Sequence, residues 1–167
     1  IRLAAGVKRV HFHIMVDFGK DPDNAEFHFG FFKLNGEPKI TVPAVSAAAR
    51  HLEGARFLGR LKLNDYYHVW YWQTPWQPNA VLATVWVDAQ RVPNPQSVAL
   101  PGRAILCEDI FGGAPSQSKV SVQAAQTVVQ PGPDPVFLYM PKDSLPQLSE
   151  LPPEIRPNLV SRALESF

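Results

Sequence analysis

Four side chains of metal-ligand type lie close together near the start of the chain: His11, His13, Glu26 and His28. Imidazole nitrogens and carboxylate oxygens suit a divalent transition metal such as Zn, Fe, Mn or Ni, and an open position on such a site could activate water or oxygen. Their spacing fits one face of a sheet. Val10, Phe12, Ile14 and Val16 alternate with His11, His13, Met15 and Asp17, the period of a strand with one buried side. Phe27, Phe29 and Phe31 alternate in the same way with Glu26, His28 and Gly30, and Gly19 to Asn24 between the two runs is turn chemistry. The pattern predicts an antiparallel hairpin with the four groups opposite the aliphatic stripe, and a register that set His13 across from His28 would bring them within side-chain reach. The competing reading is an ordinary histidine-bearing sheet face, for which no cofactor is expected.

The run His11-x-His13-x-x-x-Asp17 resembles the first metal motif of cupins, where two histidines and a glutamate hold iron or manganese. Asp17 stands where that motif has glutamate, Gly6 is misplaced, and His68 is the last histidine, so a second motif has no ligands. No cupin function is carried across. A metal centre requires near-stoichiometric metal in the untagged protein, with metal and thermal stability both falling in His13→Ala and His28→Ala; elemental analysis and a melt measure them.

A second chemistry-bearing stretch is aromatic. All four tryptophans, Trp70, Trp72, Trp76 and Trp86, fall in one segment with Tyr66, Tyr67 and Tyr71. Such rings dominate either a core or a contact surface. In a strand over Tyr66 to Trp72, Tyr67, Val69 and Tyr71 face one way and His68, Trp70 and Trp72 the other, so both faces are expected to be covered. Trp76, between Pro75 and Pro78 in a loop, is the expected exposed platform, able to stack on a sugar or anchor a protein contact. Trp76, Trp70, Trp72 and Tyr71 are the candidate binding residues for a carbohydrate or small ligand. Core packing is the competing role for the cluster.

Other chemistries lack support. Serines sit in polar connections without a glycine-flanked elbow, and Cys107 lies in an apolar run with no histidine near it in sequence. Gly112-Gly113 reads as a turn, not a phosphate cradle. With 16 basic and 15 acidic residues, net charge +1, and no blocks of like charge, the chain offers no electrostatic case for nucleic acid. No apolar run reaches the roughly 20 residues that span a bilayer, so membrane insertion is not expected and a soluble chain is. One cysteine forms no internal disulfide and leaves the compartment open. The chain opens on Ile1, and the expectation is a processed product or a piece of a longer polypeptide.

At 167 residues one domain over 1–167 is expected, long enough for its own core. Its organisation reads as an aromatic-rich β core at about 1–90, a proline-rich half at about 91–150 holding most of the 17 prolines, and a C-terminal helical segment at about 151–167. After the hairpin a short strand is expected at 39–42. A helix follows over 41–54, carried by Ala47-Ala48-Ala49 and stopped by Gly54. Strands are predicted at 56–63, 66–72, 80–88, 103–107 and 136–139, with 119–129 ambiguous. The fold class is therefore α+β and β-rich: a mostly antiparallel sheet, sandwich or partly closed barrel, with one short internal helix and a C-terminal helix. The leading function is a noncatalytic structural or interaction module of a larger assembly, with a protein partner or self-association; carbohydrate or small-molecule binding and a metal-dependent enzyme are the alternatives.

Overall fold

The computed structural model describes residues 11, 12 and 14–150. His13 and the expected C-terminal helix at 151–167 lie outside the described residues. The helix of the first half forms as read: α1, Thr41–Leu52, with Pro43 in the first turn, where its missing N–H is no loss. Gly54, at φ +67°, turns the chain back into the first strand.

Among the described residues eight strands build two antiparallel sheets. The larger has the order β1 (Arg56–Leu61), β2 (Tyr67–Gln73), β3 (Ala80–Val87), β8 (Val136–Pro141), β5 (Leu106–Glu108). The smaller has the order β4 (Val98–Pro101), β7 (Gln126–Val129), β6 (Val120–Val122). The sequence expectation of a β-rich, mostly antiparallel architecture agrees, and of sandwich or partly closed barrel the chain forms two sheets. The ambiguous 119–129 segment is the β6–β7 hairpin, and the strand expected at 103–107 begins later, at Leu106. Nothing in the sequence reading anticipated β4: Pro95 and Pro101 bracket it, and an edge strand tolerates proline because its outward N–H has no ladder partner.

Alternation along the three central strands explains the layers. Val69, Tyr71, Val81, Ala83, Val85, Val136, Leu138 and Met140 face Val98, Leu100, Val120 and Val129 of the small sheet and form one buried cluster. Trp70, Trp72, Ala80, Leu82, Phe137 and Tyr139 face the other way, where Ala48 and Leu52 of α1 cover them with Ala55, Phe57 and Trp86. A sheet buried on both faces reads as a near-continuous apolar run, as Ala80–Val87 does with Thr84 its one polar residue. One polar clasp ties the layers: Thr127, fully buried on β7, accepts from Ala104 N (2.8 Å) and donates to Gly102 O (2.9 Å) just before β5.

At β1 the register shifts between Phe57 and Gly59, a bulge. Gly59 sits at φ +149°, and a Cβ there would stand 2.8 Å from Leu148 Cβ. Its bare backbone lets Ser149 cross the strand and exchange two hydrogen bonds of 2.8 Å with Arg60.

The first segment departs from expectation. Residues 14–34 form no strand pair: Ala25–His28 is a 3-10 turn, and Val16 meets Phe32 in one parallel bridge. The strand expected at 39–42 is absent too, since α1 begins at Thr41. Local polar chemistry overrides the aromatic alternation. Asn24 caps the turn by accepting from Glu26 N at 3.1 Å. The Asp17 carboxylate, buried, gathers Gly30 N at 3.0 Å and Lys39 Nζ at 2.6 Å, bending the chain around itself. Replacing Leu138, at 0 % exposure in the core, by alanine is expected to cost about 2–5 kcal/mol in urea unfolding. Ile40→Ala, on a side chain 70 % exposed, should stay within about 0.5 kcal/mol.

Candidate functional site

The last turn of α1 carries Arg50 and His51, one exposed and one buried. His51 faces the sheet, its ring stacked on Phe137 with centroids 4.4 Å apart. The β5–β8 register sets Glu108 opposite Phe137 and Leu106 opposite Tyr139. Directly opposed residues share a face, so Glu108 and Leu106 join Phe137 and Tyr139 on the side that meets α1. There Glu108 Oε2 lies 2.9 Å from His51 Nε2 and also accepts from Arg50, while His51 Nδ1 lies 3.2 Å from the Tyr139 hydroxyl. Hydroxyl, imidazole, carboxylate and guanidinium thus form one chain of contacts.

The β2–β3 loop closes the other side. Gln73 Nε2 reaches the carbonyls of Thr74, Gln77 and Ala80 at 3.4 to 3.5 Å, holding the loop across its base. Trp76 projects from it, 55 % exposed. Between this loop, the end of α1 and β5 lies an open cleft of about 510 Å³. Trp76, Leu106 and Tyr139 give it apolar walls; Arg50, His51, Glu53, Gln77 and Glu108 supply its polar groups. This mixture of a flat aromatic surface and a few fixed polar groups is what small-ligand sites share. Burial pushes the His51 imidazole below its ordinary value, against the pull of Glu108, and pushes the Tyr139 hydroxyl up.

The structure separates the candidate binding residues. Trp76 lies open at the cleft, as the loop prolines suggested. Trp70 and Trp72 are buried beneath α1, with Trp72 Nε1 donating to Thr84 Oγ1 at 3.1 Å. They border a second, apolar cavity of about 240 Å³ with Trp86, Phe137 and Pro133. Tyr71 points into the core between the sheets, where burial raises its hydroxyl pKa. Sequence reasoning missed His51, Glu108 and Tyr139, which are 57 and 88 residues apart from His51 outward and meet only through β8 pairing with β5. A histidine on the sheet-facing side of an alanine-rich helix was the one available signal.

His11, Glu26 and His28 are exposed. His28 Nε2 lies 2.8 Å from the Asp21 carbonyl, and Nδ1 lies 3.7 Å from Asp17. With no hairpin to align them, these residues share no strand face. Among the described residues no group of three His, Cys, Asp or Glu side chains is placed to hold a metal ion. Asp17 itself is held below its ordinary carboxylate value, chiefly by the Lys39 hydrogen bond. No helix among the described residues is long and apolar enough to cross a membrane.

No family model matches the chain, and no curated protein matches it. A solved structure of a family 39 glycoside hydrolase from the gut symbiont Bacteroides cellulosilyticus WH2 is similar to it, with a TM-score of 0.57 and 19% identity. The likeness covers 75% of this chain and 25% of that one, so the matched part spans about a quarter of that protein's length. At that identity the likeness concerns the fold.

Protonation of buried histidines sets the acid response. His51 and His68 are both held below the ordinary 6.5 by burial, so the unfolded chain binds more protons between the folded values and 6.5. Their contribution to stability is complete above about pH 6.5 and is lost as pH falls through the folded values. Urea unfolding at stepped pH should show this decline, with a shallower slope in His51→Gln.

Proposed function

We propose that this chain is a noncatalytic β-sandwich module associated with carbohydrate, and that the cleft beside Trp76 contacts saccharide. The observation that carries this reading is the exposed Trp76 ring over a cleft with Arg50, Glu53, Gln77 and Glu108. A pyranose presents an apolar face for an indole and a rim of hydroxyls for carboxylate, amide and guanidinium partners. Burial of Trp70 and Trp72 under α1, with half-buried Trp86 packed against them, leaves Trp76 as the exposed indole. Likeness of fold to a quarter of a glycoside hydrolase is in keeping with this, although fold alone does not carry function. The reading is tested by titrating cellotetraose, xylotetraose and mannotetraose against intrinsic fluorescence. At least one should change the emission, and Trp76→Ala should weaken binding about tenfold or more while leaving the melting midpoint within about 2 °C. Unchanged affinity in that variant removes the site.

A second reading, a module that packs against a further body of protein, is favoured by residues 11–40. Phe12, Met15, Val16, Phe18, Phe29, Leu34 and Ile40 are all exposed there, while its buried residues are Asp17 and Gly30. So much apolar surface around a polar centre is unusual for a free surface. The isolated chain is expected to bind an apolar fluorescent dye or self-associate, and the double substitution Phe29→Asp, Ile40→Asp should reduce both without lowering the melting midpoint. Sedimentation and dye titration measure it.

A further inference from the structure

The hydrogen-bond polarity of the cleft limits which saccharide it takes, an inference that rests on the cleft being a saccharide site. The Glu108 carboxylate can only accept, so the neutral His51 ring must place its hydrogen on Nε2, 2.9 Å away. Nδ1 is then an acceptor, and its neighbour at 3.2 Å, the Tyr139 hydroxyl, must donate to it. The tautomer follows from the partners alone. Tyr139 therefore has its hydrogen committed and keeps only lone pairs for anything else.

The charged groups of the cleft point the same way. Arg50 and His51 come from α1, Glu53 follows it, and Glu108 comes from β5. From β8 the facing group is Tyr139, and from the β2–β3 loop Trp76 and Gln77, all uncharged. Arg50 is engaged by Glu108, which leaves Glu53 as the charge without a cationic partner in the cleft and the site net negative.

We propose that the cleft is a donor-selecting site that takes neutral or amino sugars through their hydroxyl and ammonium hydrogens and rejects uronic acids, with Tyr139 and Glu108 as the specificity-determining acceptors. His51 is a positioning residue that fixes both. The preference is tied to the state of the imidazole. When His51 gains a proton, both ring nitrogens donate, Tyr139 becomes an acceptor toward His51, and its own hydrogen turns outward. The cleft then gains a donor and a positive charge, and discrimination against uronates relaxes.

The test compares cellotetraose, the glucosamine tetramer and tetragalacturonate by calorimetry on the full chain at pH 7.5 and at stepped lower pH. Expected at pH 7.5 is binding of cellotetraose or the glucosamine tetramer at least tenfold tighter than tetragalacturonate, with the gap narrowing at the pH where 15N NMR shows both His51 nitrogens protonated, and in Glu108→Gln. Tetragalacturonate binding as tightly as the others at pH 7.5 overturns the inference and leaves the saccharide reading intact; no binding by any of the three overturns the inference, and the saccharide reading falls with it only if xylotetraose and mannotetraose also leave the fluorescence unchanged. Because substitutions beside a stacked ring can disturb folding, 15N NMR of the unsubstituted protein supplies a second readout. His51 should carry its hydrogen on Nε2 at pH 7.5, and an Nδ1–H tautomer contradicts the inference.

Discussion

The constraint on which the rest depends is that the five-stranded sheet is buried on both faces. Its central strands carry mostly apolar side chains on both faces, so neither face can be left to water. One face is closed by the small sheet and the other by α1, a helix of 12 residues, with Ala55, Phe57 and Trp86. Removing either cover would expose a continuous apolar surface, so helix, sandwich and loops are parts of one packing problem.

The cleft is a by-product of that solution. A helix 12 residues long spans roughly 18 Å and cannot cover the whole outer face. At its end Gly54 reverses the chain, so the β5–β8 edge meets only the last turn of the helix. The seam is sealed by polar groups: His51 bridges to Glu108 and Tyr139, and Arg50 closes on Glu108 from outside. Trp76 stands over the same seam because the β2–β3 turn, stiffened by Pro75 and Pro78, ends there. Packing thus brings a flat ring and a fixed carboxylate together at the edge of the molecule.

What the sequence made legible divides along local and nonlocal lines. The helix at α1 and the strands β1, β2, β3 and β8 follow from contiguous periodicity, and so does the double coverage of β2. Trp76 was legible because prolines on either side argue for a loop whatever the topology. The partnership of His51 with Glu108 and Tyr139 was not, because it depends on a strand order that no local pattern encodes. The first segment misled for a different reason: Phe27, Phe29 and Phe31 alternate as a strand would, yet a cap at Asn24 and the buried Asp17 decide the local backbone. Short polar contacts of this kind outweigh a hydrophobic period when no second sheet face is there to reward it.

The central claim is that ligand binding belongs to the seam between the end of α1, the β2–β3 loop and β5. Its most direct test is a backbone amide NMR titration of the 15N-labelled chain with a saccharide that changes its fluorescence. Shifts concentrated at 50–53, 74–79, 106–108 and 139 are the predicted result; shifts confined to another face of the sandwich, or spread evenly with no cluster at Trp76, would contradict it.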